Sequence, residues 1–184
     1  TNTWTLVSDG QWDAGGQYTP VWGSKGIENA ANRPYGVYVA GNFVKDSSGN
    51  LWMFGGLVQN KGQSSQLWKL NPSTGHWAWM DGSQSLNQYG NYGNKGNENS
   101  SSTYYPPARQ GHAIWIDNSG NIWVYGGWGW GTDASSATVL LNDLWKYNTS
   151  TGYWSWYSGS DIGFQVASYT QSTATIGGIT SPQY

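Results

Sequence analysis

Short runs in which apolar and polar residues alternate recur along the chain, each bounded by Gly, Asn, Asp, Ser or Thr. Alternation with a period of two over such short stretches predicts β-strands, and the turn-forming boundaries predict tight reversals between them. Four runs follow one another at His112–Ile116, Asn121–Tyr125, Asp143–Tyr147 and Tyr153–Tyr157. The links Asp117-Asn118-Ser119-Gly120 and Asn148-Thr149-Ser150-Thr151-Gly152 carry hairpin chemistry, so a four-stranded antiparallel meander is expected.

The same pattern is written once before. Gly49-Asn50-Leu51-Trp52-Met53-Phe54-Gly55-Gly56 is echoed by Gly120-Asn121-Ile122-Trp123-Val124-Tyr125-Gly126-Gly127. Gln66-Leu67-Trp68-Lys69 returns as Asp143-Leu144-Trp145-Lys146, and Gly75-His76-Trp77-Ala78-Trp79 as Gly152-Tyr153-Trp154-Ser155-Trp156. A unit repeated in tandem buries its apolar face against its neighbour. The recurring Gly55, Gly56, Trp68, Trp79, Gly126, Gly127, Trp145 and Trp156 therefore read as structural. The Gly-Gly doublets lie closer together than Trp68 and Trp145 do, which places the extra residues of the second unit in the loop 128–142. A constant strand frame with one variable loop is the usual mark of a display scaffold.

A four-stranded meander with Gly-Gly after its second strand is the blade pattern of a β-propeller. The chain resembles the kelch-repeat family, with blades of the galactose-oxidase type. Arg109-Gln110-Gly111-His112, Gly126-Gly127, Tyr147 and Trp154 carry the resemblance, in the family's order. In the first unit Arg33 stands further from its Gly-Asn turn than Arg109 does, and no His follows it. The resemblance implies an all-β fold of four-stranded antiparallel blades of a kelch-like β-propeller, partial in this chain or completed by oligomerisation. On this reading residues 1–10 are the outer strand of a preceding blade. Residues 11–82 and 83–159 are two blades with their leading loops, and 160–184 lead into an incomplete third repeat. So few strands do not close a ring, so the chain is expected to belong to a longer repeat array or to self-assemble. Arg33 and Arg109 are expected to be hydrogen-bond donors at the blade starts.

Composition narrows the function classes. A net charge of −2, with 10% charged residues, offers no basic field for nucleic acid. No apolar run is long enough for a membrane-spanning helix. With no Cys there are no disulfides, thiolate metal sites or Cys nucleophiles, and the chain cannot supply the Tyr crosslinked to Cys of galactose oxidase's copper–radical chemistry, so an oxidase is not expected. No nucleophile elbow, phosphate loop or zinc-protease motif occurs, so no catalytic residue and no cofactor is expected. His76 and His112 occupy different places in the two units, and the Asp46 and Asp117 turns each offer one carboxylate, so no metal site is expected. Low Lys with abundant Asn, Ser, Thr and Trp suits an extracellular or cell-surface protein.

Alternating strand direction sends the long loops to one end of the units. That end holds aromatic candidates for ligand contact: Trp22, Tyr92, Tyr104, Tyr105, Trp128 and Trp130, with Asp133 beside them. Two of the loops share a motif, Gly23-Ser24-Lys25-Gly26-Ile27-Glu28-Asn29 and Gly93-Asn94-Lys95-Gly96-Asn97-Glu98-Asn99, whose carboxylates read as buried and structural. Aromatic rings beside amides suit sugars, because the ring packs on C–H surface while the amides match hydroxyls. The same residues suit a protein partner. A non-enzymatic module binding glycan or protein is expected first. A structural protein whose blades self-associate into a ring, filament or adhesin is expected second, and an enzyme last.

Overall fold

The computed structural model describes residues 19–39, 43–97, 103–132 and 138–165. The described residues contain twelve strands and no helix: β1 (Val37–Val39), β2 (Val44–Lys45), β3 (Leu51–Phe54), β4 (Leu57–Val58), β5 (Gly62–Gln63), β6 (Leu67–Asn71), β7 (His76–Asp81), β8 (Arg109–Gln110), β9 (Ala113–Ile116), β10 (Ile122–Gly129), β11 (Val139–Asn148) and β12 (Tyr153–Ser158). All pair antiparallel. One sheet has the order β2-β3-β6-β7. A second runs β9-β10-β11-β12, with β8 beside the far end of β10. A small third sheet, β1-β4-β5, extends the first unit. Among the described residues no sheet closes on itself. The expected leading strand in residues 1–10 lies outside the described residues.

The two sheets are copies of one plan. Trp52 pairs with Lys69 as Trp123 pairs with Lys146, and Trp68 pairs with Trp79 as Trp145 pairs with Trp156. In the first unit the second strand breaks into β3 and β4 at Gly55-Gly56. In the second, β10 continues through Gly126-Gly127 with a shift in register. The expected loop from residue 128 is therefore shorter, and Trp128 lies on a strand, opposite Leu140.

The doublets have a steric reason. Gly55 and Gly56 have φ of 60° and 108°, and Gly126 and Gly127 have 62° and 95°, a region that side chains disfavour. A Cβ on Gly55 would stand 2.7 Å from the Arg109 carbonyl oxygen, and one on Gly127 would stand 2.6 Å from that of Gln110. The missing side chains let β8 approach closely. Its backbone joins the two units, Gly56 N–H donating to Arg109 C=O at 2.8 Å and Arg109 N–H to Ser64 C=O at 3.1 Å.

Trp52 and Phe54 of the first sheet pack against the second with tilted and edge-on rings. Their ring centroids lie 6.4 Å from Tyr147 and 5.3 Å from Trp154. Ile114, Ile122, Val124 and Trp145 complete the core between them. Tyr92, expected at a ligand face, is instead a core residue. Its ring lies 4.9 Å from Trp145 and 5.0 Å from Trp156, and its hydroxyl donates to Asp143 at 2.7 Å. A hydroxyl with a buried carboxylate to bond carries little cost of burial, so this aromatic goes inward.

The shared loop motif also takes a place other than the expected one. Residues 24–32 run as a strap along the outer edge of β7. Gly26 N–H donates to Trp79 C=O at 2.7 Å, Asn29 N–H to Trp77 C=O at 3.2 Å, and the buried Asn32 amide to Trp77 C=O and Ile27 C=O, each at 2.9 Å. Glu28 reaches the Asn71–Gly75 turn, at the end away from Trp128, and accepts from Thr74 and Asn71. It is half-exposed rather than buried. The second strap follows the same course on β12, with Gly96 N–H donating to Trp156 C=O at 2.8 Å and the Lys95 ammonium 4.5 Å from the Trp156 ring centre. Glu98 and Asn99 lie outside the described residues. An open strand edge invites pairing with other chains, and the straps fill it.

Candidate functional site

Three polar constructions stand out, and two of them hold the fold. Each first turn is built on one carboxylate. Asp46 accepts from the backbone N–H of Ser48 and Asn50, from the Asn50 amide and from the Trp52 indole at 2.8 Å. Asp117 repeats this with Ser119, Asn121 and the Trp123 indole at 2.9 Å. Partial burial raises the Asp117 pKa, and the bonds from Asn121, Trp123 and Ser119 outweigh it, bringing the carboxyl down to about 2. These carboxylates are saturated by the turn and the strand Trp beside it, the hairpin role expected of them.

The second construction is the fully buried Arg109–Asp143 pair, bidentate at 2.6 Å for both contacts. Arg109 also donates to Gly126 C=O at 2.9 Å, and Asp143 accepts from Tyr92 and from the Trp145 indole at 2.7 Å. Burial raises the Asp143 pKa, but the guanidinium more than offsets this and holds the carboxyl below its ordinary value. The first unit has a neutral version. Gln66 stands where Asp143 does and accepts from the Trp68 indole at 2.9 Å, while Val37 holds the register position of Arg109. Arg33, by contrast, corresponds to Tyr105: each forms the inner half of an isolated bridge, to Val21 and to Asn91.

The third construction is open. A cleft of about 300 Å³ is lined by Lys25, Trp79, Asp81, Gly82, Ser83 and Tyr105. It lies at the sheet end where Asp81 pairs with Leu67 and Phe54 leads into Gly55. The Lys25 ammonium sits 3.0 Å from Asp81, whose carboxylate also accepts the Gly82 N–H at 2.8 Å. Burial raises the pKa of Asp81 above the ordinary value, with Lys25 and the Gly82 bond working against it. The Trp79 indole N–H is buried without a hydrogen-bond partner. Two aromatic side chains, Trp79 and Tyr105, and a charge pair thus line one small volume.

Of the expected ligand residues, Tyr105 lines this cleft. Tyr104 is half-buried beneath Gly93, and Trp22 packs edge-on against Tyr35 at 6.0 Å. Trp130 is half-buried, edge-on to Tyr89 at 5.4 Å, while Trp128 is exposed and meets Phe164 at 5.9 Å. Asp133 lies outside the described residues. The 83–108 segment thus carries Tyr105 to the cleft and Tyr89 to Trp130. Sequence reading missed Lys25, Asp81 and the place of Trp79 in the cleft lining. One signal was present: Lys25 recurs as Lys95, but Asp81 becomes Ser158, so the charge pair breaks the repeat. No cluster of metal-ligating residues occurs among the described residues, and none of their helices crosses a membrane because none exists.

Compared with known proteins, the chain matches no protein-family model and no curated protein sequence.

Proposed function

We propose that this chain is a non-enzymatic binding module made of two kelch-like propeller blades, and that it holds a glycan end in the cleft between Lys25, Trp79, Asp81 and Tyr105. The observation that carries this reading is the Lys25–Asp81 charge pair set beside Trp79 and Tyr105 in one cleft. A sugar ring stacks its C–H face on Trp79 or Tyr105, while its hydroxyls donate to Asp81 and accept from Lys25. A few placed polar groups on an aromatic floor are the usual make-up of a small-ligand site. The cleft volume suits one sugar unit. Such a module acts outside the cell or at its surface, where glycans are displayed.

A glycan array followed by calorimetry on the bound sugars tests this. Asp81→Asn and Lys25→Met are each expected to weaken binding about tenfold or more, since a hydrogen bond to a charged group contributes roughly 1.5–3 kcal/mol. Trp128→Ala is expected to leave single-sugar binding unchanged. Glycan binding that ignores both cleft substitutions, or no glycan binding at all, would sink the proposal.

A further inference from the structure

The two units bury their equivalent faces unequally. Trp52 and Phe54 of the first sheet correspond in register to Trp123 and Tyr125 of the second. The likeness extends to local chemistry. Each Trp indole donates to its turn Asp, and each carries a Lys ammonium near its ring, Lys69 at 5.8 Å and Lys146 at 5.6 Å. In the first unit this face is covered by the second sheet, and Trp52 and Phe54 are buried. In the second unit the same face lies open: Trp115 is 40% exposed, Tyr125 48% and Tyr157 45%. Trp115 stacks on Trp123 at 6.0 Å with planes 4° apart, and Tyr157 meets Trp123 edge-on at 4.9 Å. Leu140 and Trp128 continue the exposed apolar surface toward the far end of β10 and β11. A contiguous apolar face of this extent marks an interface.

The interface inside the molecule shows what covers such a face. It is the opposite side of a sheet of the same plan, offering the positions of Ile114, Trp154 and their neighbours. The first sheet carries that side too, and Phe43 and Trp77 stand where Ile114 and Trp154 stand. Phe43 is 50% exposed and lies 6.3 Å from Trp77. Met53 and Trp68 lie deeper on the same side and are already buried.

We propose that the open face of the second sheet docks a second copy of this chain, through the Phe43–Trp77 side of that copy's first sheet. The contact continues the internal one and is head to tail, so it joins unlike patches and leaves one free patch at each end.

Sedimentation velocity over a range of concentrations on the full chain tests this. The wild type is expected to shift to larger species as concentration rises. Tyr125→Glu and Phe43→Glu, on opposite patches and both at exposed side chains, are each expected to abolish the shift while melting like the wild type. Mixing these two variants is expected to give a one-to-one dimer and nothing larger, because one good patch of each kind remains. Tyr157→Lys serves in place of Tyr125→Glu if the latter fails to fold. A wild type that stays monomeric at high concentration would overturn the proposal. So would association lost with Tyr125→Glu but untouched by Phe43→Glu, since that pattern means two open faces meeting each other or another occupant.

Discussion

Arg109 and Asp143 show how one side chain constrains the next. Neither charge touches water, so each is tolerable only through the other. Arg109→Val alone leaves a buried carboxylate and is expected to cost about 3–5 kcal/mol, and Asp143→Gln alone leaves a buried guanidinium with a similar loss. The double substitution rebuilds the Val37 and Gln66 arrangement of the first unit, where a neutral amide serves the Trp indole. Its cost is expected to fall short of the sum of the two by at least about 1 kcal/mol, measured by urea unfolding in a double-mutant cycle. His112 gives a second residue-scale prediction. Burial, with the Arg109 charge nearby, pushes its pKa down to about 3, and its ring lies against Phe54 at 5.3 Å. The folded state therefore holds this imidazole neutral where the unfolded chain, at about 6.5, takes up a proton. The stability it contributes is complete above pH 6.5 and is lost as pH falls toward 3. His112→Leu is expected to flatten the stability profile across that window, read from midpoints at stepped pH.

At the scale of the element, the strands of the two four-stranded meanders were plain from alternation and from the echo between units, because a half-buried sheet must repeat its apolar residues every second position. The short β1, β4, β5 and β8 were not plain. The described residues are all-β and antiparallel, as that pattern requires. The straps were not legible. Gly26 and Asn29 act through backbone N–H groups, which every residue carries, so nothing in their side chains announces an edge cover. Tyr92 was hard to place for a related reason. In a chain with 14 Trp and 13 Tyr, an aromatic near glycines looks the same whether it points in or out, and only the distant Asp143 decides it. Asn32→Ala tests the strap directly. It removes two hydrogen bonds from a buried amide, so a loss of about 1–2 kcal/mol is expected. Amide exchange at Gly26 and Asn29 is expected to quicken, while that of β3 and β6 stays protected.

At the scale of the whole molecule, the candidate site appears where the two copies of the plan disagree. The frame of Trp, Gly-Gly and turn Asp residues is held in common. The Lys25–Asp81 pair belongs to the first unit alone, and the Arg109–Asp143 pair to the second. Departures from the repeat were readable in principle, but Asp81 becomes meaningful only once folding brings Lys25 beside it. The two proposals use different side chains. The glycan cleft lies at the Asp81 end of β7, while the docking patches are the β9, β10 and β12 face and, on the first sheet, Phe43 with Trp77 of β7. Asp81 belongs to neither patch, so Asp81→Asn is expected to leave association untouched.

The straps also bear on how the protein emerges from a ribosome. Residues 24–32 precede the strand they cover, so the nascent chain already holds the cover for β7 when that strand is made. The same order recurs with Gly96 and β12. Each outer sheet edge can be covered as soon as its strand appears, without waiting for downstream synthesis. The interval in which a bare, tryptophan-rich ribbon could stick to its neighbours on a polysome is correspondingly short.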